Sequence, residues 1–259
     1  MFSESDGYDR FMGRWSRRLA PPMVAFAGVG EGCAVLDVGC GTGALTFAAA
    51  EIGSVTVTGV DPAEAYVDTA RRCVRGRSVS FDVGSALSLP YADAAFDATL
   101  SMLVMNFLAD PAAAVREMIR VTRAKGVVAA AVWDYGEGME MLRVFWDEAV
   151  AVIPAAASRD ERAMPLCRSG ELGELWRAEG LSEVEERALT IDLDFGSFDD
   201  YWEPFTFGQG PAGSFVASLS EPERRALQAR LRDRLLVGGP DHSFALRARA
   251  WAVRGVVAP

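Results

Sequence analysis

The sequence predicts an α/β protein built on a doubly wound, mostly parallel seven-stranded sheet, with a helical and aromatic lid inserted between the last two strands. Three observations carry this expectation. Apolar, strand-sized runs alternate with helical stretches from residue 34 to residue 132, as a parallel sheet covered by helices on both faces requires. The first apolar run ends in a glycine cluster and the second ends in Asp61, and in open α/β sheets a ligand lies across the carboxyl ends of the strands, where both features fall. After residue 133 the pattern changes to amphipathic helices and two further strand-like runs, separated by about 50 residues rich in aromatics and glycine. That excursion is too long for a plain hairpin loop.

The elements follow in order. Residues 8–30 read as helical, interrupted at Pro21 and Pro22. Strands are expected over 34–38, 55–60, 79–83, 98–104 and 127–132. The last is made of Val and Ala, as befits a strand covered on both faces. Helices are expected over 44–51, 63–74 and 111–122. Pro62 is well placed to open the second of these. Beyond them, 139–152, 170–179 and 221–236 read as helices, and 183–193 and 244–253 as strands.

Composition narrows the function. The chain has 259 residues, half of them apolar, and a formal net charge of -10. An acidic chain lacks the basic stripe of a nucleic-acid binder. The arginines at 71, 72, 75 and 77 read as a solvated helix face. The opening MFSESDGYDRFMGRW has neither the basic nor the apolar region of a signal peptide, and no apolar run reaches the roughly 18 residues a membrane span needs. The four cysteines form no CxxC pair and there is a single histidine, so the usual zinc patterns are absent. The expectation is a cytoplasmic protein without metal, nucleic-acid or membrane partners.

The stretch VLDVGCGTG, residues 35–43, carries the chemistry. Gly39, Gly41 and Gly43 allow a tight turn and a close approach of ligand to backbone, at the N-terminus of the following helix. Cys40 reads as a small residue packed in that turn. The looser spacing G-x-G-x-x-A is also met, so a dinucleotide such as NAD is not excluded by spacing. Asp37 weighs against it: a carboxylate there repels a pyrophosphate but suits a cationic ligand, and it also suits bracing of the loop. Asp61 can accept both hydroxyls of a ribose; capping of the helix opened by Pro62 is the plainer alternative.

VLDVGCGTG, GVDPA, SALSLPYADAAFD, and LVMNFLADP followed by REMIRVTRAKG resemble the class I S-adenosylmethionine-dependent methyltransferases. The nearer similarity is to the small-molecule branch that includes ubiquinone and menaquinone biosynthesis enzymes. The resemblance spans residues 30–135, and YDRFMGRWSRRLAPP resembles the N-terminal segment of some bacterial members. It implies a Rossmann-like core over 31–194 and 244–259, a cofactor-covering helical segment over 1–30, and a lid or substrate insertion over 195–243. It also implies S-adenosylmethionine as cofactor, with S-adenosylhomocysteine as product. Gly39, Cys40, Gly41 and Gly43 would border its methionine part, near Asp37, and Asp61 with Pro62 would hold the ribose. The family commonly has an acid near the end of the third strand; Ser85 stands there, leaving its hydroxyl and the backbone of Ala86 and Leu87 to read the adenine edge. Ser101 and Met102 complete the set on the fourth strand. Tyr8 and Arg14 belong to the covering segment, where an arginine can pair with the cofactor carboxylate. A histidine often follows the fourth strand in the family; Asn106 occupies that place.

Methyl transfer from a sulfonium needs mainly alignment and exclusion of water. Candidate catalytic residues are Asp134 and Tyr135, after the fifth strand, and the single histidine, His242. Asn106, Trp133, Tyr201, Trp202 and Phe205 are candidate walls of an apolar pocket for a small-molecule acceptor. An NAD-type oxidoreductase and a non-catalytic protein binding S-adenosylmethionine or S-adenosylhomocysteine remain open alternatives.

Overall fold

The computed structural model describes residues 9–76 and 78–259. Its sheet has seven strands: β1 (Ala34–Val38), β2 (Thr56–Asp61), β3 (Val79–Val83), β4 (Phe96–Met102), β5 (Thr122–Trp133), β6 (Ser182–Phe195) and β7 (Phe244–Val256). Their order is β3-β2-β1-β4-β5-β7-β6. The first five pair in parallel, and β7 runs antiparallel to β5. The expected mostly parallel, seven-stranded sheet is therefore present. Helices α1 (Arg14–Ala27), α2 (Ala44–Ala50), α3 (Glu64–Cys73) and α4 (Pro111–Val121) precede and connect the first strands. Helices α5 (Glu140–Val152), α6 (Glu171–Ala178), α7 (Phe198–Trp202), α8 (Gly210–Ser218) and α9 (Glu221–Leu236) belong to the later part of the chain.

Two compact units are distinguished, with boundaries inside β6 and β7. The sheet unit holds residues 15–133, 165–189 and 250–259. Its centre is β5, where Val128 to Val132 are fully buried. Small β-branched and alanine side chains leave room there for helices to lie close. The Trp176 indole donates to the Val128 carbonyl at 2.9 Å, which ties α6 to the strand. Helix α4 starts on Pro111, behind an Asp110 side chain that accepts from the Ala113 amide, a proline-plus-cap start. Helix α1 runs through Pro21 and Pro22 without the expected interruption. Pro21 lies on the exposed face and Pro22 is half-buried, while Leu19, Ala20, Met23 and Val24 are buried. Burial of that stripe offsets the two missing amide donors.

The aromatic unit holds the described residues up to Arg14, together with 134–164 and 190–249. It therefore draws on more of the chain than the 195–243 excursion. Phe145 and Phe205 stack at 4.5 Å with their planes 7° apart. Phe11 meets the Phe205 edge at 5.2 Å, and Trp146 and Phe215 pack at 5.5 Å. The Tyr201 hydroxyl donates to the Met141 carbonyl at 3.0 Å, and the Trp146 indole to Glu161 at 2.8 Å. No helix among the described residues is long and apolar enough to cross a membrane.

Candidate cofactor site

The glycine loop is built by packing as well as by dihedral freedom. Gly39 has φ +75°, and its amide donates to the Val60 carbonyl at 2.8 Å. A Cβ on Gly39 would lie 2.4 Å from Val104 Cγ2. Val104 is delivered there because Leu103, at φ +66°, turns the chain sharply at the end of β4. A leucine in the left-handed region costs about 1–2 kcal/mol. That turn also ends β4 at Met102, earlier than the 98–104 run suggested. Gly43, at φ +92°, faces Phe47, whose Cε2 would be 2.7 Å from an added Cβ. Gly41 differs: at φ +51° its Cβ direction meets no protein atom within 4 Å. The space beside Gly41 is therefore open, while the flanking glycines serve the protein's own packing.

These differences carry a prediction. Gly39→Ala should destabilise the fold by about 3 kcal/mol, through strain and overpacking together. Gly41→Ala should cost only about 1 kcal/mol yet weaken S-adenosylhomocysteine binding at least tenfold. Thermal unfolding and calorimetric titration read the two effects, and equal loss of stability in both variants would contradict the assignment of space.

Two acids brace this loop. Asp61 is buried, and one oxygen accepts from the Gly41 amide at 3.0 Å while the other accepts from the Ala63 amide at 2.8 Å. The ribose-binding candidate is thus also the loop brace and the lead into α3. Each carboxylate oxygen keeps a further lone pair for a hydroxyl. Asp37 is 1% exposed and accepts from the Thr46 hydroxyl at 2.6 Å. Burial pushes its pKa up to about 7, with the nearby Asp61 charge adding to the rise. Burial likewise pushes the Cys40 thiol up, holding it protonated, so it is packing and not a nucleophile.

The loop after β3 joins the same site. The Gly84 amide donates to the Asp61 carbonyl at 3.1 Å. Ser85 is exposed, and its hydroxyl accepts from the Leu87 amide at 3.2 Å. Ala86 is buried, whereas Leu87 and Pro62 are exposed. Asp37, Gly39 to Gly43, Asp61 and Ser85 to Leu87 are therefore brought together by the carboxyl ends of β1, β2 and β3. Ser101 is not available as expected: its hydroxyl is buried and donates to the Val38 carbonyl at 2.9 Å, fastening β4 to β1. Met102 is buried at the end of β4, and Asn106 is buried in the single turn Met105–Phe107.

The remaining candidates lie elsewhere. Tyr8 lies outside the described residues. Arg14 donates to the Asp200 carboxylate at 2.7 Å and sits 4.9 Å from the Phe195 ring, all three residues being within the aromatic unit. Asp134 is buried, and both its oxygens are engaged, one by the Glu137 amide at 2.9 Å and one by Arg249 Nε at 2.8 Å. That carboxylate holds a turn and a guanidinium. Tyr135 is buried. His242 is exposed in the loop before β7, its Nδ1 3.0 Å from the Pro240 carbonyl. Tyr201 and Phe205 are fully buried and Trp202 nearly so. These aromatics pack into the interior of their own unit, Phe205 on Phe145 and Tyr201 against Phe195, and their burial leaves them no open pocket to line. Trp133 is also buried, at the carboxyl end of β5, and its indole N–H has no hydrogen-bond partner among the described residues.

The site offers a strand-end carboxylate with lone pairs to spare at Asp61, open space beside Gly41, and a second, buried acid at Asp37. That set is compatible with S-adenosylmethionine, whose ribose diol Asp61 would accept and whose chain would lie along the glycine loop. Comparison with known proteins agrees. Residues 36–130 match a methyltransferase domain family. An uncharacterised protein of Mycobacterium tuberculosis is 32% identical over 217 residues, covering 81% of this chain and 78% of that protein. The demethylmenaquinone methyltransferase of Renibacterium salmoninarum is 31% identical over 146 residues, covering 56% of this chain and 59% of that enzyme. In fold, the chain is similar to Haemonchus contortus phosphoethanolamine N-methyltransferase 2, solved in complex with S-adenosyl-L-methionine. There the TM-score is 0.57 and the identity 17%, over 100% of this chain and 60% of that one. The NAD reading left open by the glycine spacing falls with these relatives: the chain belongs to the class I methyltransferases and is an S-adenosylmethionine-dependent enzyme.

Proposed function

We propose that the enzyme methylates a small molecule, with the acceptor held at the carboxyl ends of β4 and β5. The carrying observation is the buried Trp133 indole N–H at the end of β5, which lacks a partner among the described residues. A buried donor left unpaired costs about 1–3 kcal/mol, and an acceptor oxygen or nitrogen would recover it. Phe107, 57% exposed just after β4, adds an apolar face. The acidic balance of the chain, at -10, disfavours nucleic acid, and demethylmenaquinone methyltransferase, by its name, acts on demethylmenaquinone and not on a macromolecule.

S-adenosylmethionine supplies an already activated methyl group. The protein's part is to align the accepting nitrogen, oxygen or carbon in line with the departing sulfur and to keep water out. Asp61 and the glycine loop fix one partner. Trp133 and Phe107 orient the other. No general base is assigned: His242 is exposed and the Asp134 oxygens are occupied.

The test is transfer of labelled methyl from S-adenosylmethionine to a panel of quinols, phenols and amines, with RNA and protein extracts beside them. Labelling confined to RNA or protein would sink the proposal. For the best small acceptor, Trp133→Phe should lower kcat/KM about tenfold, the loss of one hydrogen bond in a buried site.

A further inference from the structure

Among the residues that resemble the family is REMIRV, residues 116–121, for which the site as described has no use. Two of its side chains, Glu117 and Arg120, lie one turn apart on α4 and reach back to the loop after β3. One Glu117 oxygen accepts from the Leu89 amide at 2.7 Å. All five N–H donors of Arg120 are engaged. Nε donates to Glu117 at 2.7 Å, and Nη2 to Glu117 at 2.8 Å and to the Leu89 carbonyl at 3.0 Å. Nη1 donates to the Tyr91 carbonyl at 2.8 Å and to the Asp93 carboxylate at 2.7 Å. The backbone adds one link more, from the Ala94 amide to the Arg120 carbonyl at 2.9 Å.

This clamp grips main chain, not only side chains. An exposed ion pair is worth little, but a planar guanidinium that holds two carbonyls and two carboxylates in one fork fixes a backbone path. The other end of the same loop is fixed by the Gly84 amide on the Asp61 carbonyl. Between the two anchors lie Ser85, Ala86 and Leu87, whose hydrogen bonds among the described residues are local, from the Ser88 and Leu87 amides to Ser85. With no acid at Ser85, reading of a base edge there falls to the Ser85 hydroxyl and the backbone of Ala86 and Leu87, and both stand where the loop's main chain puts them. The hydrogen bonds also hold Glu117 below the ordinary carboxylate range and raise Arg120, so the pair keeps its charges across the working pH range.

We infer that Glu117 and Arg120 are positioning residues for base recognition: they set the 85–87 backbone so that it selects an adenine edge over other purine edges. The inference rests on the placement of the adenine beside residues 85–87. Neither side chain touches the base.

The test compares binding of S-adenosylhomocysteine with S-inosylhomocysteine, which carries an oxygen in place of the adenine amino group. The wild-type protein is expected to prefer the adenine compound at least tenfold. Arg120→Lys keeps the charge and loses the fork, and should bring that preference to within about threefold of unity. A variant that merely loosens the fold would weaken both ligands by the same factor and leave the ratio alone. If Arg120→Lys fails to fold, Glu117→Gln, which frees only part of the fork, carries the same comparison with a smaller fall in the ratio. A wild-type preference that persists unchanged in the folded variant overturns the inference alone. A wild-type protein that does not distinguish the two compounds overturns the adenine placement and the inference with it.

Discussion

Asp61→Ala is expected to lower the affinity for S-adenosylhomocysteine at least tenfold and to destabilise the fold by about 2–3 kcal/mol, because one residue serves two ends. Its carboxylate accepts from the Gly41 and Ala63 amides. Alanine leaves both donors, each in a half-buried place, without their acceptor and frees the turn that carries Gly41. The two losses separate in Asp61→Asn. An amide oxygen can still accept one of the backbone bonds, so stability should recover in part. Affinity should not, since a ribose diol presents two hydroxyl donors and the amide offers a single acceptor. Calorimetric titration and chemical denaturation of the three proteins give the comparison. Wild-type affinity in Asp61→Asn, with stability reduced, would restrict Asp61 to bracing the loop.

Much of the cofactor site was legible in the sequence because its constraints are local. A glycine in the left-handed region, a carboxylate at a strand end and a proline opening a helix each leave a mark within a few residues, and the strands β1, β2 and β3 followed from apolar runs between them. What sequence could not show was which atoms a side chain spends on its own fold. Ser101 stands at the right end of β4, but its hydroxyl is taken by the Val38 carbonyl, 63 positions away. Tyr201 and Phe205 have the composition of a pocket wall, and composition cannot tell a wall from rings stacked into a core. Arg14 has the chemistry to hold a carboxylate and holds one, that of Asp200. The Glu117–Arg120 clamp was visible only as part of a resembling motif; its meaning depends on a loop about 30 residues earlier. The same limit explains α1, where a proline pair reads as a break until the buried stripe around it is seen.

Asp37 gives the second large effect, and it is a matter of protons. Its pKa rises from 3.8 to about 7 through burial, so near neutral pH the carboxyl is about half protonated. A group that binds its proton more tightly in the folded protein contributes stability fully below its unfolded value. That contribution is lost as pH rises through the folded value, here between about pH 4 and 7, and amounts to on the order of 4 kcal/mol. Asp37→Asn removes the titration while keeping an oxygen for the Thr46 hydroxyl, so the variant should gain on wild type between pH 5 and pH 8 in urea denaturation. Ligand binding should run the other way. An ammonium beside Asp37 favours the carboxylate, so S-adenosylhomocysteine should expel a fraction of a proton near neutral pH, where the buried carboxyl titrates. Titration in two buffers of different ionisation enthalpy measures that number directly. Asn cannot release a proton, and the variant should bind with no buffer dependence and with an affinity reduced about tenfold at pH 8. Proton release that survives in Asp37→Asn would move the titrating group elsewhere. A wild-type protein that binds without release would mean that the buried acid braces the loop as a neutral hydrogen-bonding group and meets no cation.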